Sequence, residues 1–186
     1  MIRLFVALQL APEARKRLLS VCRGLPGVRW QRDDQLHLTL RFIGEVEEPA
    51  IDDIKSVLGA VRATPFSYDI TAMGLFGTLA KPRILWAGVA PKAPFLALHE
   101  RIEQALVGCG LAPDGRRFSP HITLARFGRG GEVRARRLGA FIAAHDPLFI
   151  PGQAAEGFAL YASFLSPSGA HYRIEESYPL QDRARR

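Results

Sequence analysis

The sequence contains one alternating pattern twice, about half a chain length apart. The first copy, "HLTLRF", runs from His37 to Phe42, and the second, "HITLARF", runs from His121 to Phe127. Polar and branched aliphatic residues alternate in both copies. Because successive side chains of a β-strand point to opposite faces, this alternation predicts a strand with one face on the core and one polar face. Each strand is therefore predicted to present a histidine and a threonine on the same side.

The rest of the sequence mixes helical and extended patterns. Helices are predicted over residues 11–25, 49–63, 93–110 and 131–146. Strands are predicted over residues 2–9, 27–30, 36–43, 66–77, 83–90, 119–128, 156–166 and 171–180, with Gly44 ending the third. Hairpins among these strands favour an α+β fold with largely antiparallel sheet. With no low-complexity linker to divide it, the chain is predicted to form one domain over residues 1–186.

Composition excludes a disordered chain and favours an anionic partner. Of the 186 residues, 48% are hydrophobic, which is enough to build a core. The net charge is +7, and only four of the 25 basic residues are lysine. The arginine guanidinium suits phosphate in particular, although coding bias and solubility would also explain many surface arginines.

The cysteines and the apolar segments indicate where the protein is located and whether its thiols take part in redox chemistry. Cys22 and Cys109 match no metal or redox spacing and are expected to be packed free thiols. The apolar N-terminus is short and alternating, so it is interpreted as a first strand. No apolar run is long enough to span a bilayer, so a cytoplasmic protein with no membrane association is expected. Nothing in the sequence requires more than a monomer.

Two histidines held on rigid strands can perform both halves of a displacement reaction. Imidazole titrates near neutral pH, so it can donate or accept a proton there. If His37 and His121 face each other across a cleft, one can deprotonate the attacking group while the other protonates the leaving group. The hydroxyls of Thr39 and Thr123 can then hold the non-bridging oxygens of a phosphate. A single His-x-Thr strand would more simply be a satisfied polar pair, but the repetition favours the catalytic interpretation.

Residues that follow each histidine could lie on either face of the strand. Arg126 and Phe42 each lie five residues after the histidine of their motif, so strict alternation puts both on the opposite face. They can serve the cleft only if the strand ends, twists or bulges first. Arg41 has the correct parity and is therefore a rival for the phosphate. Neither motif has metal-ligand spacing such as HExxH, so no metal is expected.

These motifs resemble the twin HxTx signature of the two-histidine (2H) phosphoesterases. The chain is most similar to the RNA 2′,3′-cyclic phosphodiesterases, also described as 2′-5′ RNA ligases. The resemblance extends through "RLFVAL", "VRWQRDDQLHLTLRFIGEV", "FSPHITLARF" and "LYASFLSPSGAHYRIEESYPL". It implies a bilobal fold with pseudo-two-fold symmetry, a central cleft, and no metal or other cofactor. The implied partner is an RNA with a 2′,3′-cyclic phosphate end, which is hydrolysed to a 2′-phosphomonoester.

The resemblance also assigns roles to individual residues. The acid–base pair is His37 and His121, with His37 favoured as the acid and His121 as the base. The implied phosphate ligands are Thr39, Thr123 and Arg126. The implied contacts to the terminal nucleobase are Phe5 and Phe42, and Phe5 could equally be a core residue. Two alternatives remain: a module that binds a 2′-phosphorylated RNA end without turnover, and 2′-5′ RNA ligation in the same cleft.

Overall fold

The computed structural model describes residues 1–128, 135–166 and 169–181. The four helices of this part are α1 Pro12–Val21, α2 Ala50–Gly59, α3 Ala93–Gly108 and α4 Ala135–Ala144, and a short 3₁₀ helix spans Asp33–Gln35. The strands are β1 Ile2–Gln9, β2 Val28–Trp30, β3 His37–Val46, β4 Phe66–Gly77, β5 Pro82–Ala90, β6 His121–Phe127, β7 Phe149–Ala155, β8 Gly157–Ser166 and β9 Gly169–Pro179. The predicted helix start at residues 131–134, part of the last predicted turn at 167–168, and residues 182–186 lie outside the described residues.

Two predicted boundaries are wrong because of special backbone positions. The predicted end of β3 at Gly44 is incorrect, since the strand continues to Val46. Gly44 has φ of +96°, which glycine tolerates, and it still pairs with Leu4 across an irregularity in the ladder. The helix α1 stops at Val21, before the predicted residue 25, because Cys22 already leaves the helical conformation with ψ of 55°, and Gly24 follows with a positive φ.

Strand β7 is missing from the sequence-based prediction. Its sequence "FIPGQAA" contains Pro151 and Gly152, which are typical of a turn. Among the residues that the structure describes, the strand pairs only with β4, at the end of the sheet. Proline is tolerated at such an edge because its missing N–H is not needed there.

All described strands form one sheet, in the order β7-β4-β5-β6-β3-β1-β8-β9, with β2 added beside β6. Every strand pairing among the described residues is antiparallel. The two motif strands β3 and β6 are central neighbours, joined at Leu38 and Ile122. The C-terminal hairpin β8–β9 pairs with β1. Strands from the beginning and the end of the sequence are therefore neighbours in the sheet. The prediction of an α+β fold with mostly antiparallel sheet is confirmed.

The main core lies on one face of the sheet, and a small aromatic cluster lies on the other. The predicted core residues of the motifs are buried at 0–1% exposure: Leu38, Leu40, Ile122 and Leu124. They belong to a cluster that includes α1, α2, α3 and strands from both halves of the chain. Phe5, Ala7, Ala159 and Tyr161 form a separate buried cluster. The main core draws on both halves of the chain, and the single domain over residues 1–186 stays a prediction.

Two further expectations concern the thiols and the membrane. Cys22 and Cys109 are free and half-buried against the main core, as predicted. Burial raises the pKa of the Cys22 thiol to about 11, which makes it unreactive as a nucleophile. Across the described ranges, no helix has both the length and the apolar content required to cross a bilayer.

Trp86 lies flat across a glycine on the neighbouring strand. Gly74 on β4 pairs directly with Trp86 on β5. A Cβ atom on Gly74 would lie only 2.1 Å from the indole ring, so a side chain at this position cannot coexist with the observed indole. The indole packs 5.6 Å from Phe76 and 6.5 Å from His121 between ring centroids. Gly74 therefore shapes the surroundings of the second histidine.

We expect Gly74→Ala to lower the free energy of unfolding by about 1–3 kcal/mol, because overpacking forces the indole out of place. Gly108→Ala on α3 is the matched control, since no atom of the described residues lies within 4 Å of its Cβ position. That change should be neutral or slightly stabilising, because alanine reduces the entropy of the unfolded chain. Denaturant titration of both variants measures the difference. Equal stability of the Gly74→Ala variant and wild type would contradict this packing.

Candidate active site

The two motifs meet at the centre of the sheet. Because Leu38 pairs with Ile122 in an antiparallel ladder, His37 lies across from Thr123 and His121 lies across from Thr39. All four polar side chains are half-buried and point away from the main core. The predicted His and Thr pairs are therefore brought together on one face, around a rough two-fold axis between the strands.

A β-bulge in β3 reverses the alternation after the first motif. Val6 of β1 pairs with Arg41 and Ala7 pairs with Thr39, so Leu40 is an extra residue in the ladder. A bulge of this kind places two consecutive side chains on the same face. Leu40 and Arg41 both face the main core, and Phe42 returns to the histidine face with 42% exposure.

The second motif has a bulge at the same position. Leu85 of β5 pairs with Ala125 and Trp86 pairs with Thr123, so Leu124 is the extra residue. Leu124 and Ala125 are consecutive buried residues, and Arg126 is half-buried on the histidine face. In both motifs the bulge places the later residue, Phe42 or Arg126, on the histidine face, where strict alternation would not put it.

Each bulge leaves a leucine carbonyl that a group outside the ladder must satisfy. The Leu40 carbonyl accepts a hydrogen bond from Nδ1 of His99 at 2.8 Å. His99 is oriented by stacking on Phe118, with ring centroids 4.1 Å apart. The Leu124 carbonyl accepts from the backbone N–H of Gln31 at 2.8 Å. His99 is thus a supporting residue of the site that its sequence position in a helix did not reveal.

Arg41, the predicted rival for the phosphate, lies on the wrong face. Its side chain is 5% exposed and forms an ion pair with Glu103 of α3. It also donates to the Phe42 carbonyl and, at 2.6 Å, to the Ala112 carbonyl. The parity argument for Arg41 is incorrect because the bulge at Leu40 intervenes. Arg41 instead ties α3 and the loop after it to the motif strand.

The His37 imidazole sits in a pocket of aromatic rings. The ring centroids of Phe5, Tyr172 and Tyr161 lie 4.9, 5.3 and 6.1 Å from its own. Burial is the largest cause that lowers the pKa of His37 to about 4, and a backbone hydrogen bond to Gln35 partly opposes it. The neighbouring charges of Arg126 and His121 lower the pKa of His37 further. His37 is therefore neutral at neutral pH in the free protein.

The His121 imidazole has a similar environment on the other strand. Phe76 contacts it edge-on at 4.8 Å between centroids, and Trp86 lies behind. Its Nδ1 lies 2.7 Å from the Ser119 carbonyl and donates to it, which leaves Nε2 available to a substrate. Burial lowers the pKa of His121, followed by repulsion from Arg126, while the Ser119 hydrogen bond opposes this. Both histidines thus bond to the backbone two residues earlier.

Arg126 supplies the positive charge of the site. It lies close enough to lower the pKa of both His37 and His121. Within residues 1–128, 135–166 and 169–181, no acidic side chain forms an ion pair with Arg126. Its cross-strand neighbour on β2 is the exposed Arg29. Like charges opposite one another on a sheet repel, so an anion bound here would relieve the repulsion.

The two predicted nucleobase contacts differ in accessibility. Phe42 offers exposed ring surface, whereas Phe5 is only 3% exposed. Phe5 stacks on Tyr161 with centroids 5.0 Å apart and nearly parallel planes. This packing favours the alternative that Phe5 is a core residue that supports His37. Its contact with a terminal base stays a prediction.

The residues that wall the histidines were missed by sequence reasoning. They are Tyr161, Tyr172, Phe76 and Trp86. Each belongs to a predicted strand, but strand periodicity alone does not identify which strands are its neighbours. The signal was present in part, because Tyr161 in "FALYASF" and Tyr172 in "HYRIEESY" alternate with residues of the other face. In the described part of the chain no group of three or more His, Cys, Asp or Glu could hold a metal ion.

Comparison with known proteins identifies what this chain is similar to. A LigT-like phosphoesterase family model matches residues 8–86 and 89–172, and each segment contains one HxTL motif. An RNA 2′,3′-cyclic phosphodiesterase of Thermotoga maritima is 30% identical over 92% of this chain and 92% of its own length. A crystal structure of a Thermus thermophilus protein superposes with a TM-score of 0.82 at 28% identity. That superposition covers 98% of this chain and 100% of the other.

Coverage of other relatives is partial. An RNA 2′,3′-cyclic phosphodiesterase of Aeropyrum pernix is 36% identical over 61% of this chain. The chain spans 64% of that relative and 42% of a Geobacillus stearothermophilus relative of the same name. E. coli LigT in complex with 3′-AMP is 24% identical with a TM-score of 0.75, which supports the fold.

The depressed pKa of His37 predicts how the stability of the protein depends on pH. The unfolded chain takes up the His37 proton below pH 6.5, whereas the folded protein takes it up only near pH 4. The free energy of unfolding should therefore fall as the pH drops from 6.5 to 4, by up to about 1.4 kcal/mol per pH unit from this residue. A His37→Gln variant should lose this component in urea titrations. An NMR titration midpoint near 6.5 for His37 would contradict the burial argument.

Proposed function

Because this chain belongs to the LigT-like phosphoesterase family, we propose that it hydrolyses a 2′,3′-cyclic phosphate at an RNA end to a 2′-phosphomonoester. The observation that carries this proposal is the placement of two imidazoles and two threonines on one face of adjacent strands, beside an arginine without an ion-pair partner among the described residues. The relatives that carry the name RNA 2′,3′-cyclic phosphodiesterase support the choice of substrate.

The proposed reaction is an in-line displacement at phosphorus. The base removes a proton from water while the water oxygen bonds to phosphorus. The bond between phosphorus and O3′ breaks, and the acid donates its proton to the departing O3′. The 2′-phosphomonoester and a free 3′-hydroxyl result, with no external oxidant or reductant. Both proton transfers need groups that titrate near neutral pH, which is the property of imidazole.

The family resemblance implies the acid–base pair, and within that pair we assign the acid to His37 and the base to His121. In the free protein, burial and two neighbouring charges lower the pKa of His37 to about 4. His37 can therefore act as the acid only if the bound phosphate anion raises its pKa, which a nearby opposite charge does. His37 then takes up a proton from solvent when the substrate binds, and the two imidazoles titrate as a coupled pair.

The phosphate ligands are proposed to be Thr39, Thr123 and Arg126. The two hydroxyls flank the axis between the motif strands, where they can donate to the non-bridging oxygens. Negative charge accumulates on those oxygens in the transition state, so donors fixed in advance stabilise it more than they stabilise the substrate. Arg126 suits this role because no carboxylate of the described residues pairs with it.

Phe42 is proposed as the contact for the terminal nucleobase, with Phe5 behind His37. The ring centroids of Phe5 and Phe42 are 6.1 Å apart, so a base stacked on Phe42 stays close to the catalytic histidine. Stacking accepts any base because every base has a π face. We propose that the protein reads the cyclic phosphate and the terminal nucleotide, acts without a metal ion, and works as a monomer.

The direct test uses a short RNA oligonucleotide ending in a 2′,3′-cyclic phosphate, with EDTA present. We expect His37→Ala and His121→Ala each to lose about 10²- to 10⁴-fold in turnover rate. His145→Ala is the matched control, since His145 lies after α4 and bonds to the Phe141 carbonyl. Phosphorus NMR identifies the monoester.

Wild-type turnover by both motif variants, or dependence of wild type on a metal, would contradict the mechanism. Tight binding of a 2′-phosphorylated end without turnover would favour a binding module.

The acid and base assignments can be separated with a leaving group that needs no proton. We expect 3′-deoxyadenosine 2′-(4-nitrophenyl phosphate) to restore the His37→Ala variant to within about tenfold of wild type, because nitrophenolate departs unprotonated. The His121→Ala variant should stay at least about 100-fold impaired, since water still needs a base. Release of nitrophenolate is followed by absorbance. The opposite pattern would exchange the two roles.

A further inference from the structure

Arg116 lies over the ring of Phe42 at the edge of the site. The guanidinium carbon is 5.6 Å from the ring centroid. We propose that Arg116 and Phe42 together form the binding platform for the terminal nucleobase, and that Arg116 is a specificity residue for nucleotides. This inference deepens the proposed function and rests on it. Arg116 precedes the second motif by five residues, in a loop without regular structure.

Arg116 is held in a fixed orientation by Asp114. Its Nε and one Nη donate to the two carboxylate oxygens, each at 2.9 Å, and its backbone N–H donates to Oδ1 at 3.1 Å. The hydrogen bond from the Arg116 side chain is the largest cause that lowers the pKa of Asp114, so the carboxylate stays ionised. The Arg116 side chain is nevertheless 69% exposed. A planar, charged group is therefore fixed at the surface rather than left mobile.

A chain of hydrogen bonds connects this arginine to the strand that carries Phe42. The backbone N–H of Asp114 donates to one carboxylate oxygen of Glu103 at 2.7 Å. The other oxygen of Glu103 accepts from the buried Arg41, which also donates to the Phe42 carbonyl. The loop and the backbone of Phe42 are thus braced by the same ion pair. This bracing holds the loop that carries Arg116 beside the strand that carries Phe42 before any ligand arrives.

The charge balance favours a nucleobase over a phosphate as the ligand of Arg116. A guanidinium already neutralised by a bidentate carboxylate is a weak anion site, but its flat face still stacks on aromatic systems. Arg126, which has no ion-pair partner among the described residues, is the better phosphate ligand. The two arginines therefore divide the recognition of a nucleotide between its base and its phosphate.

The spacing decides how the base would lie. A ring held between two stacking partners needs about 7 Å, twice the contact distance of carbon atoms. The separation of 5.6 Å between Arg116 and Phe42 is too short for this. The base would instead stack on the exposed part of the Phe42 ring with the guanidinium beside it. The second Nη of Arg116, which the Asp114 pair leaves unused, can then donate to an acceptor on the edge of the base.

The test compares the binding of adenosine 2′-phosphate with that of inorganic phosphate by calorimetry. We expect Arg116→Ala to weaken the binding of the nucleotide about tenfold, the scale of one lost hydrogen bond to the edge of the base, and to leave the binding of phosphate unchanged. Arg116→Lys should behave like Arg116→Ala, because lysine keeps the charge but lacks the fork through which Asp114 holds a second donor beside the base. Arg117→Ala is the matched control on the adjacent exposed arginine and should match wild type. Thermal unfolding checks that the variants are folded.

Kinetics provide a second measurement. With adenosine 2′,3′-cyclic phosphate, Arg116→Ala should raise KM about tenfold with little change in kcat, since contact with the base is equal in the ground and transition states. Equal weakening of nucleotide and phosphate, no weakening of either, or an effect seen only with oligonucleotides would overturn the inference. Failure of the proposed function is seen separately, as wild type that binds adenosine 2′-phosphate but never turns over the cyclic form.

Discussion

The site depends on one backbone feature, the β-bulge at the leucine of each motif. Without these bulges, strict alternation would turn Phe42 and Arg126 toward the main core and would bring Arg41 to the histidine face. A bulge breaks the ladder and leaves a carbonyl to be satisfied, so each one requires support from elsewhere in the fold. His99 provides it for Leu40, and the backbone of Gln31 provides it for Leu124. Two donors outside the motif strands therefore preserve the arrangement that the proposed chemistry needs.

The electrostatics follow from how the fold distributes its carboxylates among three arginines. Arg41 is paired with the largely buried Glu103 and holds the structure together, and Arg116 is paired with Asp114 at the rim. Arg126 has no ion-pair partner in the described ranges, and its charge acts on both histidines. Burial and this positive charge keep the imidazoles neutral in the free protein. An arriving phosphate would neutralise the positive charge of the arginine, and its own negative charge would offset the effect of burial by stabilising the protonated form of a nearby histidine.

The two faces of the sheet bury different groups of side chains and play different roles. One face buries the aliphatic residues of both motifs in a core built from both halves of the chain, which makes the backing of the histidines rigid. The other face carries a smaller aromatic cluster around Phe5 and Tyr161, which desolvates His37. The rings that lower the pKa of His37 are thus supplied by β1 and the C-terminal hairpin. The hairpin's return to β1 joins the two ends of the sequence at the first motif.

The sequence by itself determined the α+β class, the two motif strands and the facing of their histidines and threonines, because strand periodicity is a local property of the chain. It also determined which residues resemble those of the 2H phosphoesterases. Only the tertiary structure decided on which face of the strand Arg126, Phe42 and Arg41 lie, because a bulge depends on the pairing of two distant strands. Strand β7 was hidden for the same reason, since its proline and glycine are acceptable only at a sheet edge. The buried environment of His37 and the bracing of Arg116 likewise arise from contacts between segments that are far apart in the sequence.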